Sequence, residues 1–415
     1  MSAPLPPFSP HIEHFGLDRS RVFLNHGSFG ATPIKVLEAQ NALRRRVELE
    51  PIKFFVEDLE PMLNEARRAC AQFINVPEDD FAFVTNATAG VNTIVKSLRF
   101  GPGDELLIGN HEYNACNNAF RLAAGQAGAM VVSVDAPFPI RDSAQYEQAV
   151  MEKITERTRL VLLSHITSPT GLILPVERLI PAIQSRGVDV LLDSAHGPGF
   201  VPMEIAKLAP AFATGNFHKW TCAPKGSAFL YVRPDKQHLI HPLILSHGFN
   251  VPRMDRTRYR LEFDYPGSFD ASAWITTPQA LEFVSTLVPG GIDGFRAANN
   301  ALCLSARNAI CNALGVAPAA PDAMLGAMAA VVLPAQSEAK EKALAQRPTK
   351  YMDALQDALL NKWNIQIPIF RLSLGEGYTQ RSVRICRLNC MVYNTLEQFE
   401  YLARALKAEL ALERA

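Results

Sequence analysis

Between residues 80 and 232 the chain alternates short apolar runs with stretches whose apolar positions recur every three or four residues. The runs at 81–84, 105–108, 129–134, 160–166, 188–192 and 211–214 each stop at polar groups and predict buried strands. The intervening 142–157 and 176–186 predict helices, the second with Val176 and Pro181 as alternative starts. Strand and helix in alternation predict an α/β fold with a mostly parallel, doubly wound sheet, whose ligands bind at the carboxyl ends of its strands. Upstream, 34–50 and 57–73 predict amphipathic helices. RVFLNHGSFGATP (21–33) predicts a short strand and a turn whose glycines let the backbone approach a ligand. After Pro234 the texture changes. Residues 241–274 read as loop, followed by helices at 277–287 and 292–314, a strand at 328–333 and a helix at 349–363. A strand ending near Phe370, another at 382–389 and a closing helix at 395–412 complete a smaller α+β unit. The expected organisation is an N-terminal arm (1–20), a large domain (21–275) and a small C-terminal domain (276–415).

Two strand ends carry the candidate chemistry. The run to Leu192 closes on Asp193, Ser194, Ala195, His196, and the next leads into Asn216, Phe217, His218, Lys219. A carboxylate and a lysine delivered to one crevice suit pyridoxal phosphate, which bonds a lysine amine and sets its pyridinium nitrogen against an acid. Lys219 is the candidate for the amine and Asp193 for the ring nitrogen; taken singly, each could be a surface lysine or a helix-capping aspartate. Phe81 to Val84, then Thr85, Asn86, Ala87 and Thr88, then a helix, makes an anion site for the cofactor phosphate at Ala87 and Thr88, or an ordinary N-cap. Tyr113 is placed to stack on the ring, with His111 competing, and Thr167, just past the strand at 160–166, is a further candidate cofactor contact. A metal hydrolase built on Asp193, His196 and His218 fits no zinc spacing, and Lys219 would repel the ion.

Composition narrows the setting. With 41 basic and 41 acidic residues among 415, no net field points to nucleic acid or an anionic membrane. Seven cysteines in no paired pattern fit a reducing cytoplasm. The opening MSAPLPPFSPHIEHFG lacks the features of a signal peptide, and no apolar stretch is long enough to span a bilayer, so a soluble protein is expected.

LNHGSFG (24–30), TNATAGVN (85–92), HEYNA (111–115), HITSPTG (165–171), LLDSAHGPG (191–199), NFHKW (216–220), GSFDASAW (267–274) and RLNCMVYN (387–394) occur in that order. Together they resemble the fold-type I pyridoxal phosphate enzymes of the class V aminotransferase group, and within it the isopenicillin N epimerase-like branch. The resemblance implies that Lys219 bonds the cofactor, Asp193 pairs with the ring nitrogen, His196 lies beside the ring oxygen and Tyr113 stacks on the ring. It implies phosphate contacts from Thr88, Asn216 and His218, and from Ser268 of a neighbouring subunit, hence a homodimer with active sites at its interface. Arg387 is implied to grip a substrate α-carboxylate, with Asn25 and Ser28 as further substrate contacts. The related cysteine desulfurases carry a nucleophilic thiol shortly before this arginine. RLSLGEGYTQ (371–380) has none, and Cys386 and Cys390 read as packing residues. The branch often has Thr-Arg-Asp where this chain has Ser268, Phe269, Asp270, which weakens a link to the branch's namesake substrate.

The expected activity is chemistry at the Cα of an amino acid: epimerisation, with C–S lysis of the kind used in ergothioneine synthesis, or transamination, as alternatives. A second base for epimerisation is open between Tyr113, His111 and His26. A homologue that keeps the fold only to bind the cofactor is the non-enzymatic alternative.

Overall fold

The computed structural model describes residues 5–375 and 381–414. After a short first strand, β1 (Val22–Phe23), come β2 (Phe81–Val84), β3 (Glu105–Gly109), β4 (Met130–Val134), β5 (Thr158–Ser164), β6 (Asp189–Asp193), β7 (Phe212–Asn216) and β8 (Ala228–Val232). The last seven form one sheet in the order β2-β8-β7-β6-β5-β3-β4. Five of them pair in parallel, while β8 runs antiparallel to both neighbours. A parallel sheet is covered on both faces, which is why its strands read as unbroken apolar runs. Leu160, Leu162 and Leu191 enter the core on one face; Val161, Leu163, Val190 and Leu192 enter the other. From β3 the chain steps outward to β4, then returns to β5 and proceeds the other way. That reversal opens a crevice at the carboxyl ends.

A second, antiparallel sheet is built from β9 (Met328–Val332), β11 (Ile369–Leu374) and β12 (Arg381–Asn389), with β12 in the middle. Between them β10 (Ile365–Gln366) pairs in parallel with β1, tying the start of the chain to its C-terminal part. The arm ends up there too. The Pro7 carbonyl accepts hydrogen bonds from Thr395 and Gln398 at 3.2 Å, and Phe15 meets the Tyr393 ring edge-on.

Several expected boundaries move, each for a local reason. The helix expected at 142–157 ends at Met151, because Thr155 and Thr158 close a turn that feeds β5. The helix expected from 349 starts at Ala354, capped by the Asp353 carboxylate on Leu355 N–H. Within the expected loop 241–274 lies a helix, Arg258–Asp264, capped by Thr257. A polar helix, Glu338–Ala345, capped by Ser337, was not anticipated. Of the thiol-free stretch 371–380, residues 376–380 lie outside the described residues.

Gly30 serves a different purpose from the one expected. Its φ is +71°, and a Cβ there would sit 1.9 Å from the His218 carbonyl oxygen. The backbone it admits is the protein's own, in the loop that carries Lys219, and not a ligand's. Gly30→Ala should therefore lower stability by ~2–4 kcal/mol, measured as the shift in urea midpoint at constant slope.

Candidate active site

The carboxyl edge gathers the chemistry because β5, β6 and β7 end there side by side. Ser164 pairs with Asp193, and Asp193 with Thr214, so the loop after β7 carries His218 and Lys219 over the end of β6. Ser164, Asp193, His218 and Lys219 line a cleft of about 1730 Å³ that also receives Ser28 from the N-terminal segment and Arg387 from β12.

Lys219 Nζ lies 3.1 Å from His196 Nε2, whose other ring nitrogen, Nδ1, accepts from Trp220 Nε1–H at 3.2 Å. The cleft leaves Lys219 partly accessible, but its amine sits deep among protein atoms. Burial, and then the Arg387 charge, bring its pKa down to about 7, with Asp193 opposing. Lys219 is thus poised as a neutral amine near physiological pH. Asp193 accepts from Ala195 N–H at 2.9 Å and from the Cys116 thiol at 3.3 Å. Burial pushes its carboxyl up, while those two donors and the Lys219 charge pull it down.

Arg387 is 2% exposed and unlike the chain's other buried arginines. Arg384 bonds Asp353 and Glu413, and Arg67 bonds Asp264. Arg387 instead donates to the Ser168 carbonyl at 2.6 Å and the Ser28 hydroxyl at 3.0 Å and stacks over Phe370, and its Nε has no partner among the described residues. No carboxylate among the described residues compensates it, and burial lowers its pKa to about 10. Ser28 is held in turn by the Asn25 side chain at 2.5 Å.

At the other end the helix Ala87–Ser97 points its N-terminus into the cleft. Asn86 caps it through Ala89 N–H, and Asn216 Oδ1 accepts from Ala87 N–H at 2.8 Å. The Ala87 amide is therefore spent. Thr88 keeps its amide and hydroxyl without partners among the described residues, and Asn216 keeps its NH₂. His218 bonds the Ser227 carbonyl, and burial lowers its pKa to about 4, so it meets a ligand as a neutral ring. Free donors at a helix N-terminus, a neutral buried lysine and a buried carboxylate are the groups that pyridoxal phosphate engages through phosphate, aldehyde and ring nitrogen. The residues present fit that cofactor.

The structure does not bring every candidate to the cleft. Thr167 is wholly buried, its hydroxyl bonded to Thr170 at 2.7 Å and to Leu172 N–H, and it does not line the cavity; Ser168 does. His111 is buried behind the wall, bonded to Thr170 and the Ala136 carbonyl, and His26 is bonded to Tyr393 and the Lys219 carbonyl. Tyr113, 48% exposed, lines the cleft where the helix Asn114–Ala127 begins. Ser268 is exposed and lies outside its own chain's cleft lining. Sequence reasoning missed Glu112, Cys116 and Ser168. Glu112 accepts from Ser164 N–H and Oγ–H, and burial raises its pKa to about 8. Only its place inside HEYNA hinted at a site. Among the described residues no three His, Cys, Asp or Glu side chains converge as a metal site needs, and no helix is long and apolar enough to cross a membrane.

Sheet and site together are those of the fold-type I pyridoxal phosphate enzymes. The family model for aminotransferase class-V matches residues 50–317. Isopenicillin N epimerase of Streptomyces clavuligerus is 28% identical over 94% of this chain and 96% of its own length. Putative L-cysteine desulfhydrase 1 of Oryza sativa subsp. japonica is also 28% identical, over 96% of this chain and 85% of that protein. Among solved structures, the cysteine desulfurase CsdA of Escherichia coli superposes with a TM-score of 0.72 at 19% identity, covering 96% of this chain and 97% of that one. The chain belongs to the aminotransferase class-V family and is a pyridoxal phosphate-dependent enzyme.

The depressed amine has a pH signature. Only unprotonated Lys219 attacks an aldehyde, so capture of pyridoxal phosphate should accelerate as pH rises and level off above about 7. An ordinary lysine would keep accelerating to ~10.4. Stopped-flow absorbance against pH measures the half-point.

Proposed function

We propose that the protein acts at the Cα of an L-amino acid, removing the α-proton on one face and delivering a solvent-derived proton to the other, as an amino acid epimerase. The carrying observation is Arg387: a buried guanidinium without a counter-ion among the described residues, in the same cleft as Lys219. A planar fork in that position suits a substrate α-carboxylate, bound bidentately. Ser28 and Asn25 hold the fork in place. When bound, pyridoxal phosphate holds the substrate amine and withdraws electrons from Cα. Thr88, Asn216 and His218 would hold its phosphate, and Asp193 would pair with its ring nitrogen. Lys219, its pKa lowered to about 7, takes the α-proton in its unprotonated form. His196 Nε2 lies 3.1 Å from its amine. Of the three candidates for a second proton donor, Tyr113 is the one whose side chain reaches the cleft, so we assign it that role.

A β-eliminating C–S lyase is the second reading, favoured by the similarity to the rice desulfhydrase. It uses the same groups and needs no second proton donor. The two separate in one screen: purified protein is mixed with L-amino acids in deuterated solvent, and D-isomers, pyruvate plus ammonia, and keto acids are resolved. D-isomer with α-deuterium supports epimerisation; pyruvate selects the lyase, and keto acids a transaminase. Absence of α-exchange with every substrate refutes the reading. Lys219→Ala should abolish exchange. Arg387→Lys should cut kcat/KM by ~10²–10³-fold while the protein still takes up cofactor.

We also propose a homodimer. Leu49, Ile52 and Val56 are between 75% and 85% exposed, Leu49 lines a groove with Phe269 and Asp270, and the adjoining Ser268 is exposed and would reach a partner's cleft. Ile52→Asp with Val56→Asp should reduce the mass in sedimentation from twice 45.6 kDa to 45.6 kDa and weaken cofactor retention. Seven unpaired, buried cysteines support a cytoplasmic setting.

A further inference from the structure

We propose that Trp220 is a positioning residue that fixes the tautomer of His196, so that His196 presents Nε2–H, and not a lone pair, to Lys219. The inference rests on the proposed function only in naming Lys219 as the reacting amine. The tautomer itself follows from donors and acceptors.

Indole Nε1–H is a donor and cannot accept. At 3.2 Å from His196 Nδ1 it obliges that nitrogen to offer its lone pair. A neutral imidazole then carries its proton on Nε2. Burial and the surrounding Lys219, Arg387, His218 and His26 oppose a second proton on the ring. Nε2 lies 3.1 Å from Lys219 Nζ, and a donor there needs a lone pair opposite. The contact therefore favours the neutral amine over the ammonium, whose protons would meet Nε2–H head-on. The indole is held for this task. It is wholly buried, meets Phe200 edge-on at 5.2 Å and lies 5.0 Å from the His26 ring.

The test uses the full-length chain labelled with ¹⁵N-histidine, with His196 assigned through His196→Gln. Long-range ¹H–¹⁵N spectra should show the Nε2–H tautomer at His196. In Trp220→Phe, which keeps an aromatic ring but loses the donor, the Nδ1–H form should appear and Nε2 should accept from a Lys219 ammonium. The half-point for reductive methylation of Lys219, read by peptide mass, should then rise by about one pH unit. Finding Nδ1–H in the unsubstituted protein overturns the proposal, whether or not the variant folds. So does a folded variant, by circular dichroism, with tautomer and half-point unchanged. Borohydride trapping of pyridoxal phosphate on the unsubstituted protein separates the two readings. A label absent from Lys219, with His196 still Nε2–H, defeats the functional reading and leaves the tautomer standing.

Discussion

Arg387 makes two neutral hydrogen bonds, to Ser28 and Ser168, and among the described residues it has no partner for Nε and no carboxylate to balance it. A buried charge without its counter-ion costs several kcal/mol, and the fold tolerates it here while pairing Arg384 and Arg67. Much of the site depends on that one imbalance. The same positive charge, added to burial, holds the Lys219 amine near neutrality. A permanent guanidinium and a readily neutralised amine thus share a cleft with Asp193, an arrangement completed by ligands that bring their own negative charge.

Keeping the guanidinium in place takes parts from distant stretches of sequence. β12 delivers Arg387, the loop after β5 supplies the Ser168 carbonyl, and the turn at 25–30 supplies Ser28. That turn is anchored twice: β1 pairs with β10, and Gly30 lets it lie against the His218 carbonyl. The N-terminal segment therefore touches both the substrate end of the cleft and the loop of the reactive lysine. Adjusting one of these positions moves the other.

His196 shows how a buried polar network can set reactivity without charge. Its two ring nitrogens are both engaged, one by Trp220 and one by Lys219, so the ring has one protonation pattern that satisfies every partner. Histidines alike in sequence diverge for the same reason. His111 and His26 spend both nitrogens on structural partners and leave the cleft to Tyr113.

Local patterning was enough to read the strands that carry Asp193 and Lys219, because a strand buried on both faces must be apolar throughout and must end where polar side chains meet solvent or ligand. The family motifs extended that reading to Arg387 and Asn216. Pattern failed where a side chain caps its own neighbourhood, as at Thr257, Ser337 and Asp353. It also failed at β8, whose antiparallel pairing follows from a connection without a helix. Thr167 and Ser168 are adjacent in the sequence, and only the turn closed by Thr170 and Leu172 decides which one faces the cleft. The chain itself determined which chemical groups are present and which strand ends present them. Tertiary packing decided which remain free, since hydrogen bonding and burial, set by residues hundreds of positions apart, determine whether a donor or a charge is spent on the protein or left for a ligand.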